Sequence, residues 1–357
     1  MQTSPMKSLP HTHVLFLFLR LAPLLTIPLV LGACSTPGAK DKTNARPAPA
    51  PSEASSGTEA EKPTFPDVTF THAPGPAGDI LRALGEQAGG GVVLMSGLEE
   101  RAIPGVNFKQ EPYDRAIARL AESIPSVCTH TPYYYLILPS DYDALQEVVL
   151  EDKLDPVYRD IKAGAVFGAK TPLFSVFSAL STSLDITILA DNYIAESRCG
   201  ELHLPDLPLP VVLAAILQSA RIGTDAFTVE STPEYIFFRA PRNEHPPSVR
   251  IDSASSPPDA QALLDKRVSI TLPPLPDSQT QFVIASEPMP LREVLYPLTE
   301  QLGIEVVAQR RLADIPINPC VFRNVRLSTA LDLLIRQWPL AQFGWELQPG
   351  RVLLKQR

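Results

Sequence analysis

The chain has 357 residues, 38 of them proline, and a net charge of −8. That proline content is about twice the ~5% of ordinary proteins and predicts linkers and short, sharply bounded elements. The length accommodates two or three domains, and the acidity disfavours a general nucleic-acid role.

Residues 1–33 read as a targeting segment. Lys7 and Arg20 supply positive charge with no acidic residue beside them, and Leu21–Leu31 is an apolar run of signal-peptide length, too short to span a bilayer. The run ends in Leu31-Gly32-Ala33-Cys34. This resembles the lipobox of bacterial lipoproteins, and the alternative is an ordinary signal peptide with a chance cysteine. The resemblance implies cleavage before Cys34 and lipidation of that residue with chains such as palmitate. A multiply acylated cysteine is a stable anchor, because each buried methylene contributes about 0.8 kcal/mol. In an envelope with two membranes, Ser35 after the cysteine implies the outer membrane, with the protein facing the periplasm. Loss of residues 1–33 removes two positive charges and leaves the mature chain at −10.

Residues 34–66 are rich in Pro, Ala, Ser, Thr, Gly, Lys and Glu and carry no apolar period. Such a segment cannot offset its ordering entropy and reads as a disordered tether.

Beyond residue 67 one phrase recurs three times. Ile80, Val176 and Val294 correspond, as do Leu81, Phe177 and Leu295, and Leu84, Leu180 and Leu298. With the same offsets of 96 and 118, Phe108, Leu204 and Phe322 align further on, then Ile117, Leu213 and Leu331, then Leu120, Ile216 and Leu334. No gap is needed between the two helices in any copy.

The apolar spacing predicts a common order, β-α-β-β-α-β, an α+β class. Opening strands are expected at Val68–Thr71, Val166–Ala169 and Phe282–Ala285, and closing strands at Tyr133–Leu138, Tyr235–Arg239 and Arg351–Lys355. Thr171 is the expected N-cap of the second copy's first helix. The expected modules span residues 67–139, 164–240 and 268–357. Residues 140–163 form a linker with the apolar periodicity of a helix or an interface, and residues 241–267 form a linker of flexible composition. Pro297 falls inside the third copy's first helix, where it predicts a kink.

The third copy carries Pro290-Leu291, Val294-Leu295, Leu298 and Leu302-Gly303, then Val325, Leu327, Ala330-Leu331 and Leu333-Leu334. This pattern resembles the secretin and TonB short N-terminal (STN) domain. The second copy departs at Asp185, which replaces the glycine, and the first departs most, opening on Asp79-Ile80-Leu81. The resemblance covers most of the chain after residue 67. It implies a periplasmic protein-interaction module with no catalytic residues, and partners among envelope proteins: a secretin, a TonB-system component or a related machine. No run of amphipathic strands suited to an outer-membrane barrel follows the copies.

Motifs for chemistry are sparse. There is no H-E-x-x-H, no G-x-S-x-G and no Gly-Lys-Ser/Thr. His130 lies two residues from Cys128 without a second ligand pair, and a structural metal site wants four ligands. The carboxylates Glu99-Glu100 and Glu151-Asp152 read as turns or solvated faces. No cofactor and no enzymatic activity is expected. Cys128, Cys199 and Cys320 permit at most one intrachain bridge. Cys199 and Cys320 precede equivalent strands, so a bridge between them is one reading and buried free thiols are the other. The competing function is a small-molecule or cell-wall binder with a cleft between copies.

Overall fold

The computed structural model describes residues 63–142, 147–241, 249–251, 259–273, 287–338 and 342–357. The targeting segment, Cys34, the tether up to residue 62, His245 and the expected strand Phe282–Ala285 lie outside the described residues. Within them the chain is α+β, with eight helices and several small sheets.

The N-terminal part runs β1 (Val68–His72), β2 (Gly75–Pro76), α1 (Ala77–Ala88), β3 (Val92–Leu94), β4 (Ala102–Ile103), β5 (Val106–Glu111), α2 (Tyr113–Glu122), β6 (Ser126–His130) and β7 (Tyr135–Pro139). The central part runs β8 (Lys162–Phe167), α3 (Leu173–Leu184), β9 (Ile188–Ala190), α4 (Asn192–Ala195), β10 (Glu201–Pro208), α5 (Leu209–Ser219), β11 (Thr228–Thr232) and β12 (Tyr235–Arg239). The C-terminal part runs α6 (Ala260–Leu264), β13 (Arg267–Leu272), β14 (Met289–Pro290), α7 (Leu291–Leu302), β15 (Glu305–Ala308), β16 (Pro316–Ile317), β17 (Cys320–Arg326), α8 (Leu327–Arg336), β18 (Phe343–Gln348) and β19 (Arg351–Gln356).

In each part an antiparallel pair is formed by β1–β5, β8–β10 or β13–β17. A hairpin, β6–β7, β11–β12 or β18–β19, then adds its second strand parallel to β3, β9 or β15. Each part therefore ends on two strands where the sequence predicts one. The central opening strand starts at Lys162, upstream of the expected Val166. Among the described residues the strand paired with β17 is β13.

Proline precedes five of the longer helices: Pro76, Pro112, Pro172, Pro208 and Pro290 stand before α1, α2, α3, α5 and α7 with φ between −52 and −68. A residue at this position contributes no N–H to the helix, so proline loses no helical hydrogen bond there, and its ring presets φ. Thr171 is not the cap of α3; its hydroxyl donates to the Gly168 carbonyl at 2.6 Å. The expected kink at Pro297 does not divide α7, which is assigned as one helix from Leu291 to Leu302.

Helices α1, α3 and α7 have twelve residues each and start at positions 77, 173 and 291, while α2, α5 and α8 start at 113, 209 and 327. Both sets keep the 96 and 118 spacing. The residues ending the first set, Gly89, Asp185 and Gly303, are all left-handed, with φ of 65°, 55° and 67°. Ala77, Leu173 and Leu291 donate their N–H groups to Arg101, Ser197 and Ile315 at 2.8, 2.8 and 2.9 Å.

The described parts of both connecting stretches pack against the fold. Val148, Leu150, Leu154 and Tyr158 are buried with Val93, Tyr134 and Leu136 of the N-terminal part and with α3 and α5. The periodicity of 140–163 thus reflects an interface, and its only described helix is the 3₁₀ turn Pro156–Tyr158. Within 241–267, read from sequence as flexible, Val249 is buried, the Ile251 N–H donates to the Trp345 carbonyl at 2.7 Å, and α6 forms.

Candidate functional site

No group of three or more His, Cys, Asp and Glu among the described residues could hold a metal ion, and no described helix is long and apolar enough to cross a membrane. Cys34 lies outside the described residues. The Cys199–Cys320 bridge is not formed, and none of Cys128, Cys199 and Cys320 is in a disulfide among the described residues. Each of the two sits in its own setting: Cys199 Sγ faces the Gly168 carbonyl at 3.6 Å, and Cys320 is buried in the C-terminal core. Burial pushes both thiols up to about 12.

Glu99, Glu100 and Trp345 have structural partners. Glu99 accepts the Gly97 N–H, and Glu100 pairs with Lys170 at 2.5 Å, linking the N-terminal and central parts. Trp345 is buried and donates its indole N–H to Asp332 at 2.7 Å. Gly90 and Gly91, which suggest no phosphate loop, lie against Tyr113 and Tyr134.

The structure draws polar side chains together at two junctions. At the first, β10 of the central part pairs antiparallel with β3 of the N-terminal part, with Glu201, Leu202 and His203 opposite Leu94, Val93 and Val92. The two parts thereby share a five-stranded sheet, β6-β7-β3-β10-β8. Arg82 on α1 forms a two-pronged ion pair with Glu201, whose side chain is 3% exposed. Glu201 also accepts the Ala169 N–H at 2.9 Å. His203 Nδ1 lies 3.0 Å from the Gly90 carbonyl, and the Ser96 N–H donates to the Ser219 carbonyl at 2.8 Å.

At the second junction, α3 and β9 face β17. The Arg323 N–H donates to Thr187 Oγ1 at 2.8 Å, Ser178 Oγ donates to the Pro319 carbonyl at 3.2 Å, and the Asn192 N–H donates to the Gln337 carbonyl at 2.8 Å. Two of these contacts, Ser178–Pro319 and Asn192–Gln337, fall at the positions used in the first junction. Ser178 and Pro319 stand 96 and 118 residues after Arg82 and Glu201, and Asn192 and Gln337 stand at the same offsets after Ser96 and Ser219.

Beside the second junction the central and C-terminal parts enclose an open cleft of about 920 Å³. Four arginines line it, each held by a carboxylate. Glu234 pairs with Arg267 at 2.9 Å and Arg326 at 3.0 Å, and accepts from Thr329 at 3.0 Å. Arg323 Nε is 3.7 Å from Asp185. Arg336, 2% exposed, pairs with Glu230 and lies 4.7 Å over the Phe237 ring. Burial would raise the Glu230 carboxyl, but hydrogen bonds from Arg336 and Tyr235 and the charges of Arg336 and Arg239 hold it below its ordinary range. Asp332 is raised by burial, against the hydrogen bond from Trp345. Tyr235 is pushed up to about 12 by burial and by Glu230.

The cleft and the junctions were not visible in the sequence, because their partners lie from about thirty to well over a hundred positions apart, as with Glu234 and Arg267 or Arg82 and Glu201. The one local signal was Thr187, a polar side chain at the entry to an apolar strand. No family model, curated protein or solved structure matches this chain.

Proposed function

We propose that the chain is a non-catalytic, lipid-anchored protein-interaction module of the periplasm. On this reading it consists of three STN-like repeats, residues 67–139, 164–240 and 268–357, joined to an outer-membrane anchor at Cys34 by the tether. It serves an outer-membrane secretion or TonB-type transport machine. The observation that carries the reading is strand addition at the first junction. A β-strand of one unit completes the sheet of the next, and equivalent positions meet again at the second junction. Modules that recognise one another through sheet edges and helix faces are suited to adding further partners the same way. The common helix spacing and left-handed caps support the repeat assignment.

Crosslinking of intact envelopes followed by purification tests the reading. Recovery of a secretin, a TonB-system component or a related channel protein is expected, and recovery of none overturns it. Labelled palmitate should enter the protein and be lost with Cys34→Ala.

A second reading, a small-molecule or cell-wall binder, is favoured by the cleft between the central and C-terminal parts. Its lining carries four arginines against the carboxylates Asp185, Glu234 and Asp332, an excess of one positive charge that would favour an anionic ligand. A rise in melting temperature with anionic cell-wall fragments would support it.

A further inference from the structure

The two internal junctions use two complementary surfaces, and among the described residues the first and third parts each leave one of them without a strand partner. The acceptor surface is the outer edge of β3 with α1, or of β9 with α3. The third member of that series is β15 with α7. β15 is an edge strand whose sheet order is β15-β19-β18, and no described strand lies on its other side. The donor surface is β10 or β17. The first member of that series is β5, whose only described strand partner is β1.

Exposure follows this pattern. Val93 and Leu94 of β3 and Leu189 and Ala190 of β9 are buried, whereas Val307 and Ala308 at the same positions of β15 are partly open. Glu201 and Leu202, and Pro319 and Cys320, are buried, whereas Gly105 is exposed and Val106 partly open. Tyr296 occupies the position of Arg82 and Ser178, both of which contact the following unit; it is 70% exposed, the most exposed large hydrophobic side chain among the described residues.

We propose that copies of this chain dock head to tail, β5 of one copy adding antiparallel to β15 of another. The proposal rests on the repeat reading above. Carrying the register of the first junction forward by the repeat offsets sets Ala308 opposite Gly105 and Val307 opposite Val106. Tyr296 then meets the side-chain-free Gly105. Carrying forward the Thr187–Arg323 contact sets exposed Glu305 against exposed Lys109. Carrying forward the Asn192–Gln337 bond aims the Arg310 N–H at the Ser123 carbonyl, beside exposed Glu122. Two opposite-charge pairs across one projected contact favour a second copy as the occupant. Such a contact joins unlike surfaces, so it closes into a ring or extends into a filament.

The test mixes two full-length variants in detergent, Glu305→Cys and Lys109→Cys, under mild oxidation. The expected result is a disulfide-linked dimer about tenfold above the yield of either variant alone or of the unaltered chain, with the crosslink mapped to the two substituted positions. Combining both substitutions in one chain should give a ladder of higher species. Glu305→Lys should weaken self-association of the otherwise unaltered chain by about tenfold, and adding Lys109→Glu should restore it. A mixture that yields no more dimer than the single variants overturns the proposal. If the Glu305→Cys chain then crosslinks in intact envelopes to a channel component instead, the interaction reading survives without self-docking. If it crosslinks to neither, both fall.

Discussion

Gly200 abuts Leu94 so closely that a β-carbon on Gly200 would overlap the Leu94 carbonyl oxygen and lie 2.7 Å from the Ser96 nitrogen. This is the entry point of β10 onto the edge of β3, and backbone occupies the place of a side chain. Gly200→Ala must push the two strands apart. A cost of about 3 kcal/mol is expected, near the upper end for overpacking, read as a lower urea midpoint. Gly75→Ala is the control. Its β-carbon would meet nothing closer than 4.0 Å, so the midpoint should hardly move.

Arg82 and Glu201 hold the same junction from the helix side. Glu201 is almost fully buried while Arg82 is about two-fifths exposed. Removing the arginine strands a carboxylate that then keeps only the Ala169 N–H. Truncating one partner of a fully buried pair costs about 3–5 kcal/mol; solvent access at Arg82 should reduce this to about 2 kcal/mol. Arg82→Met with Glu201→Gln should recover much of the loss. A double-mutant cycle by urea unfolding checks the coupling, and additive single effects would refute it.

How much of this was legible in the sequence follows from the range of each interaction. Helices α1, α3 and α7 show through their apolar period and through the stop at Gly89, Asp185 and Gly303. Asp185 works because aspartate tolerates the left-handed conformation better than most residues. Strand β6 was missed because Ser126–His130 has no buried residue to mark its alternation. Strand β13 alternates clearly, but the expected opening strand of that copy falls at Phe282–Ala285, closer to α7 in the sequence. The junctions depend on residues such as Arg82 and Glu201, 119 positions apart. Nothing in either local sequence announces the other.

Acid should probe the cleft with two opposing signs. The folded-state pKa of Glu230 is depressed from 4.5, so its contribution is present above the unfolded value and is lost as pH falls through the folded one. Asp332 is raised above 3.8. It therefore favours folding at pH below its unfolded value and opposes folding once pH exceeds the raised one. Glu230→Gln should destabilise the protein by about 2 kcal/mol at pH 7, by weakening the partner of buried Arg336, and should flatten the fall in stability below pH 4.5. Asp332→Asn keeps an acceptor for Trp345 and should be neutral or stabilising at pH 7. Urea midpoints from pH 3 to 7 separate the two.

The cysteines should differ in reactivity. Cys199 and Cys320 are buried with thiols pushed up to about 12, and Cys128 is only partly covered. The thiolate is the reactive form, so the two buried residues carry almost none at neutral pH. Native protein treated with iodoacetamide should be alkylated at Cys128 first. Cys199 and Cys320 should react only with denaturant. Mass mapping of the labelled peptides checks the order, and early labelling of Cys320 would contradict its burial.

Pro297 is the last point where a local preference conflicts with the fold. It stands in the interior of α7, where Ala83 and Ala179 hold the equivalent places in α1 and α3. Proline there removes a helical donor and crowds the carbonyl of Glu293, at a typical cost of about 3 kcal/mol. Part of that is offset, because proline restricts the unfolded chain by up to about 1 kcal/mol. The Gln301 side-chain N–H donates to the Pro297 carbonyl at 3.3 Å while holding the backbone of Thr271 through two further bonds. Gln301 therefore fastens this turn of α7 to β13, and the Thr271 anchor remains when the proline is replaced. Pro297→Ala should restore the missing bond and raise stability by about 2 kcal/mol, visible as a higher urea midpoint with an unchanged slope. A loss of stability instead would mean that the conformation proline imposes on α7 is needed for its packing against β13 and β15.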